Sequence, residues 1–433
     1  MIRSSAETRW QRRRRAFHSL WFGQTVSQLG SQVSLVVLPV VAVLSLRATP
    51  FEVGLLAALE TAPYLVASLP AGVLADRFDR RSLLIVTDLA RAAVLSIVTI
   101  AYLAGALSLP LLFAVALANG TLSVVFDVAY QSYLPELVSA RDLIEANQKL
   151  EVSNSGAQVA GPALAGLLMA AVGAAVAVVL DSISYVVSAV ALGASPRPDR
   201  RRSQAREAPG SDGMTHGFAV LAADRVLRDL AGSTATFNLA SSMIFAVLVV
   251  FATRDVGMDG ASFGFLYGLG NLGFLVGALL VGRWTRRLGP GPTLYLAAVL
   301  GAIATCLLPL AGGPLAIGVL AAGRFVGALG AALFNVNAYS ICQARVANAV
   351  LGRVNATFRL LEWGALPIGS LVGGVVGSLL GVRYALLMAA VCGVASALWL
   401  TFSPLRSLAG LDRAPLLLPS EPELLTRPSG VPK

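Results

Sequence analysis

Charge is scarce in this chain. Only 13% of its residues are Asp, Glu, Lys or Arg and 56% are hydrophobic, with a mean hydropathy of +0.74, which excludes an ordinary water-soluble globular protein. Lysine is scarcer still: Lys149 and Lys433 are the only two, neither closes a Gly-rich loop, and so the chain has no phosphate-binding loop for ATP. The three cysteines, Cys306, Cys342 and Cys392, stand singly inside apolar runs, which argues against a disulfide framework or a thiolate metal site. His18 and His216 lie in or beside basic flanks with no partner, so neither a metal nor a cofactor is expected. No Gly-x-Ser-x-Gly nucleophile motif occurs, and an enzyme is not expected. The net charge of +10 falls between apolar runs rather than in one patch, which speaks for membrane topology and against nucleic acid.

Long apolar runs are what the chain does have. About 20 such residues cross a bilayer as a helix, and lipid forces each backbone group to pair within its own segment. Twelve segments reach that length, near residues 17–46, 51–75, 82–104, 110–130, 147–170, 174–194, 228–252, 262–284, 291–311, 314–341, 357–380 and 382–402. The first is too long for a signal-peptide core and lacks a small-x-small cleavage site, so it reads as an uncleaved span. Basic residues test the topology, since cytoplasmic loops hold their excess. Of the 33 Lys and Arg, 28 fall on the side of the two termini, three (Arg47, Arg254, Arg383) on the other, and Arg91 and Arg324 within spans. Both termini are therefore expected inside the cell.

The same reading divides the chain. A basic cytoplasmic tail covers residues 1–16, a six-helix half 17–194, a cytoplasmic linker 195–227, a second six-helix half 228–402, and a Pro-rich tail 403–433. The linker carries Pro196, Pro198 and Arg200-Arg201-Arg202, and the final tail carries six prolines and is expected to be disordered. The halves repeat: Asn147, Gly156, Gly161, Gly166 and Gly173 recur 208 residues later as Asn355, Gly364, Gly369, Gly374 and Gly381, and Ser188-Ala189 as Ser396-Ala397. An all-α integral membrane protein of twelve helices in two six-helix repeats, with a substrate site between them, is the fold this predicts.

Between the second and third spans lies Gly72-Val73-Leu74-Ala75-Asp76-Arg77-Phe78-Asp79-Arg80-Arg81, five charges in a short loop, with an echo at Arg283-Trp284-Thr285-Arg286-Arg287. The pattern Gly-x-x-x-Asp-Arg-x-x-Arg-Arg resembles the signature loop of the major facilitator superfamily. That resemblance implies a charge network of Asp76 and Arg80 with an acid at the end of the fourth span, matched here to Asp127, that clamps the inside face and loosens on protonation. Arg77, Arg80 and Arg81 set membrane orientation in either case. Asp79 replaces the usual Gly.

The fifth span carries Gly156, Gly161-Pro162 and Gly166. Small residues admit close helix packing, and a Pro frees a carbonyl. The run also resembles the helix-5 motif of proton-coupled exporters, with Ala157 and Ala165 where Gly is usual. Tyr133-Leu134-Pro135-Glu136-Leu137-Val138, Leu143-Ile144-Glu145-Ala146-Asn147 and Gly161-Pro162 are similar to the 12-span drug and siderophore exporters of the macrolide-efflux and enterobactin-exporter type, over residues 17–402. The fourth-span Arg of many drug exporters is absent. Where that group often has an acid after the first-span Gly, Gly30 is followed by Ser31.

Ionisable residues inside spans are functional candidates by their cost. They are Glu60, Asp88, Arg91, Asp181, Arg324 and Glu362. Asp88 and Arg91, three apart, read as a pair; Glu60 has no local partner and is the first candidate for proton coupling. Gln24, Ser27, Gln28 and Ser31 make one polar helix face, Asn119, Ser123 and Asp127 another, and Asn238, Asn335 and Asn337 add amides from the second half. Such amides either line a substrate path or bond between helices. With the resemblance, they imply a bacterial inner-membrane secondary transporter, acting as a monomer, that exports amphipathic organic molecules by proton antiport, with the proton gradient as its energy source. An importer or lipid flippase of the same fold is one alternative, and a non-transporting receptor or scaffold working through the basic linker is another.

Overall fold

A computed structural model describes residues 2–138, 142–196, 218–346 and 348–407. The core of the linker with His216, the tail after residue 407 and the side chain of Asn355 lie outside them. Among the described residues every regular element is a helix. Eleven helices are long and apolar enough to span a membrane, and a twelfth span is a bent pair, Pro50–Val66 with Pro70–Arg77, angled at 62°. The third to sixth spans are Arg80–Leu103, Leu109–Leu137, Leu143–Val172 and Ala174–Ala194. The seventh to twelfth are Arg225–Val250, Gly260–Leu288, Pro290–Leu307, Ala316–Arg345, Asn348–Leu379 and Val382–Thr401. The first helix, Ile2–Leu44, runs without a break through the stretch read as an N-terminal tail.

Local chemistry explains the ends. Thr49 and Glu52 form a reciprocal capping box at the start of the second span, with Pro50 at the first helical position, where its missing N–H costs nothing. Asp79, the departure from the signature loop, caps the third span by accepting from the Ser82 N–H at 3.1 Å. The loop therefore needs no glycine there. Asp259 caps the eighth span in the same way, through Ser262 N–H at 2.8 Å. Gly173 and Gly381, partners in the sequence repeat, turn the fifth span into the sixth and the eleventh into the twelfth at φ of 84° and 108°, a region that disfavours side chains.

The repeated glycines set the packing. A Cβ on Gly161 would come within 2.3 Å of Gln32 on the first span, and one on its counterpart Gly369 within 2.1 Å of Ser242 on the seventh. Gly166 and Gly264 pack backbone to backbone where the fifth span crosses the eighth; Gly374 and Gly54 do the same where the eleventh crosses the second. Each half thus reaches across to the other through one equivalent pair of helices.

Those crossings join the halves at the face away from the termini. One apolar core, from Val33 and Val43 through Val98 and Ala175 to Met243, Phe251 and Leu386, draws on both halves there. The Phe51 N–H donates to Ser378 Oγ at 2.8 Å and Arg254 to the Ala48 carbonyl at 2.7 Å. At the terminal face the cores are separate, Phe17 to Leu192 in the first half and Val220 to Leu405 in the second. The molecule is closed on one face, while on the face of its termini the apolar cores part and the halves meet through Tyr64 with Trp363 and an Arg359 to Gln131 hydrogen bond at 3.4 Å.

Candidate functional site

The signature loop sits at the parted face. Arg80 donates to Glu136 at 2.6 Å and to the Ser132 carbonyl at 3.0 Å, and lies 3.7 Å from Asp76, which is 74% exposed. The acid of this network is Glu136, not Asp127. Asp127 lies nine residues earlier on the same helix, more than two turns deeper in the membrane. Its fourfold register with Asn119 and Ser123 singles it out in the sequence, whereas Glu136 follows the helix-interior Pro135, at the very end of the span. All these contacts lie within one half. Arg81 acts elsewhere, its guanidinium capping the sixth span by donating to the carbonyls of Leu192, Gly193 and Ser195. Arg77 is exposed, and Gly72 faces open space, so this conformation gives no steric reason for a glycine.

Deeper in the first half, the spans bring ionisable side chains together. Asp88 and Arg91 form the expected pair, both buried. The Arg91 guanidinium is held between the rings of Phe126 at 4.1 Å and Tyr185 at 4.3 Å. Asp127 and Asp181 lie within its electrostatic reach. Asp127 accepts from Tyr64 at 2.6 Å, and the Tyr64 ring packs against Trp363 of the other half, tilted by 40° with centroids 4.2 Å apart. Asp181 accepts from Ser184 at 3.1 Å, and the Ser34 hydroxyl also lies within its reach. It rests against Gly30, whose missing Cβ would lie 2.7 Å from Asp181 Oδ1. The glycine therefore makes room for a sixth-span acid against the first span. Glu60 has no hydrogen-bond or ion partner among the described residues. Asp88, Asp127 and Asp181 therefore lie in the field of Arg91, while Arg359 of the eleventh span also acts on Asp127 and Glu60 adds its charge beside Asp181.

The polar stripes divide. Gln24 Nε2, Gln28 Oε1 and Asn119 Oδ1 are buried without a protein partner, Ser31 bonds the Tyr185 hydroxyl at 2.9 Å, and Ser123 is half-buried. Asn238 donates to the Glu362 carbonyl at 3.2 Å, and the Glu362 carboxylate accepts from Tyr339 at 3.1 Å. Asn335 is exposed. Asn337 is not on a path: it accepts from Thr285 at 3.0 Å and donates to the Leu333 carbonyl, binding the eighth span to the tenth. Gly161 and Gly166 of the helix-5 motif serve close packing, while Gly156 meets nothing within 4 Å.

In the second half Arg324 stands at a cavity of about 260 Å³ between the fifth, seventh, eighth, ninth and tenth spans. It stacks on Tyr267 at 4.0 Å and donates to Asn271 at 3.3 Å, and Asn271 donates across to the Gln158 carbonyl of the fifth span at 2.6 Å. Reading the residues alone misses Tyr64, Tyr185, Tyr339, Asn271 and Glu136 as parts of these sites. A hydroxyl four residues from an in-span acid, as Tyr64 is from Glu60 and Tyr185 from Asp181, is the signal that finds two of them.

Two six-helix repeats with polar and charged residues gathered at their interface define a membrane transporter, not an enzyme. Residues 10–428 match the family profile described as transmembrane secretion effector, and the chain belongs to that family of the major facilitator superfamily. The enterobactin exporter EntS of Escherichia coli O1:K1 is 26% identical over 84% of this chain and 86% of its own. The transporter y4rN of Sinorhizobium fredii is 26% identical over 83% and 87%, while the match to YfiS of Bacillus subtilis, 27% identical, spans 43% of each chain. Among solved structures, the nucleoside transporter NupG superposes with a TM-score of 0.74 over 89% of this chain and 98% of its own at 12% identity. A bacterial homologue of the iron transporter ferroportin in its inward-facing state superposes with a TM-score of 0.68 over 89% and 98% at 15% identity.

Proposed function

We propose that this transporter exports amphipathic organic molecules of the drug or siderophore class from a bacterial cell in exchange for protons, with both termini in the cytoplasm. The orientation rests on the 28 basic residues of the terminal side against three opposite. In that orientation the parted face opens to the cytoplasm, the side from which an exporter loads.

The observation that carries the proton reading is the excess of carboxylates over guanidinium groups around the first half: four in-span acids against Arg91, with Arg359 of the second half reaching Asp127. Setting Glu60, Asp88, Asp127 and Asp181 wholly or partly out of water with only Arg91, and Arg359 near Asp127, to balance them leaves uncompensated negative charge in a low-dielectric setting, and a bound proton removes it at least cost. Tyr64 ties this cluster to Trp363 across the opening, so a change of charge on Asp127 acts on the contact that has to rearrange when the halves rock. Export is favoured over import by the family description and by EntS, a named exporter aligned over most of both chains.

The test is accumulation of dyes, macrolides and catechol siderophores in an efflux-deficient bacterium expressing the chain, with and without a protonophore. Reduced accumulation that the protonophore restores, and that Glu60→Gln or Asp127→Asn abolishes at equal protein level, is the expected result. Raised accumulation of any panel member would mean import and end the export reading.

A further inference from the structure

We propose that the cavity around Arg324 binds the anionic group, a carboxylate, sulfonate or ionised catechol, of an amphipathic aromatic substrate. This rests on the transport reading above and adds to it the charge of the molecule carried. Arg324 is part-buried in a membrane span, where an unpaired cation is costly, yet no carboxylate lies within 4.0 Å of it among the described residues. Its neighbours are neutral: the Tyr267 ring under the guanidinium plane and the Asn271 amide oxygen on one Nη. The buried Nε–H has no partner. Arg91 is the instructive contrast, because it is also stacked on aromatic rings but is surrounded by acids.

The surroundings are built to hold that cation in place rather than to neutralise it. A Cβ on Gly270 would lie 2.5 Å from the Arg324 Cβ, so glycine makes room for the stem of the side chain. Asn271 is oriented by its own amide N–H, which is bound to the Gln158 carbonyl, and so its oxygen faces Arg324. Along the same cavity Ser241 offers a hydroxyl and Phe237 and Phe274 offer aromatic surface, and among the described residues no acid lines it. A planar guanidinium fork with a free donor suits a carboxylate or a paired catechol oxygen, and the rings suit the aromatic body attached to it. The space admits one or two rings. Because Gln158 belongs to the first half and the other walls to the second, an occupant touches both halves and favours one of their arrangements.

The probes for the test are dansylglycine and dansylamide, which share one fluorescent ring system and differ in the carboxylate. Titrated into the full-length protein in nanodiscs of zwitterionic lipid, dansylglycine should bind at least ten-fold more tightly than dansylamide. Arg324→Gln should bring that ratio to within two-fold of one. Ala328→Phe, which fills the cavity and leaves the arginine, should weaken dansylglycine at least ten-fold. A ratio near one in the unmodified protein, a ratio unchanged by Arg324→Gln, or full-strength binding in Ala328→Phe would each overturn the site. Protonophore-sensitive expulsion of dansylglycine from cells is a separate arm. Anion-selective, Arg324-dependent binding without expulsion would leave the site standing and count against the export reading; expulsion of dyes without anion-selective binding would do the reverse.

Discussion

In the first half the in-span charges converge, with Asp88, Asp127 and Asp181 around Arg91 and Glu60 close by. In the second half Arg324 and Glu362 lie apart from each other, one stacked on Tyr267 and the other bonded to Tyr339 with Arg359 nearby. Yet the packing of the two halves is equivalent, span for span, down to Gly161 with Gly369 and Gly166 with Gly374. Duplicated helix contacts therefore coexist with unequal chemistry. Glycines and small residues hold the shared mechanics of the fold, while each half is free to specialise its polar side chains. In the proposed scheme, the first half handles the proton and the second the charged end of the substrate.

The largest effect should come from removing the shared cation. Arg91→Gln strands Asp88 and removes a neighbouring cation from Asp127 and Asp181, and breaking a buried ion pair from one side costs about 3–5 kcal/mol. Thermal melting of the purified protein should show a large fall, much of it recovered in the double variant Asp88→Asn/Arg91→Gln. Arg324→Gln strands no carboxylate and should melt close to the unmodified protein. Equal losses at Arg91 and Arg324 would break the contrast between the halves.

Next in size is the pair of crossings. A Cβ at Gly166 would lie 2.8 Å from the Ala261 carbonyl oxygen and one at Gly374 2.9 Å from that of Pro50. Overpacking of this kind costs about 1–3 kcal/mol, here imposed on the state closed away from the termini. Gly166→Val and Gly374→Val should each slow labelling of a single cysteine placed at Val152 or Val336 on the parted face, in a background without the native cysteines. A response from only one of the two would show that the halves are mechanically unequal.

The loop network should matter less. Arg80 and Glu136 are partly exposed, and such a pair is worth about 0.2–1 kcal/mol, so Glu136→Gln should shift the same labelling rates a few-fold at most. It should leave the protonophore sensitivity of transport intact, whereas Asp127→Asn should abolish it. Identical effects of the two variants on coupling would return Asp127 to the loop network.

The smallest difference concerns the caps. Thr49 and Asp259 begin equivalent spans, and replacing either with Ala should cost about 1 kcal/mol. Only Asp259 is itself charged; the side chain and N–H of Ser262 hold its carboxyl below the ordinary carboxylate range. A lowered value in the folded state means a contribution present above about pH 4 and lost as pH falls through the lowered value. Melting between pH 7 and pH 3 should therefore show a slightly shallower acid loss in Asp259→Asn than in the unmodified protein, and no such change in Thr49→Ala.

Much of this architecture is legible from residues. The expected span 82–104 is Arg80–Leu103 and 382–402 is Val382–Thr401, because a bilayer-length apolar run has few alternatives to a helix. The break in the second span escapes such a reading although Pro63 and Pro70 stand in the chain, since neither length nor the presence of proline gives the 62° angle. The pair of Asp88 and Arg91 is readable because three residues on one helix suffice to define it. Matching Asp127 to Arg80 fails, and Asp127 belongs to Tyr64, because that choice depends on which helices face each other and at what depth.

Membrane class, the number of spans, the excess of basic residues on one side and the internal repeat are all properties of the chain as written, since each follows from composition, length and period along it. Three-dimensional packing was needed to place Asp181 against Gly30, to make Arg81 the cap of the sixth span, to give Asn337 a structural role, and to leave Arg324 with no acid beside it among the described residues. The reason is physical. Lipid acts on each helix separately and leaves its mark in every residue it touches, whereas the partner of a buried polar side chain is supplied by another helix, at a register that no single helix contains.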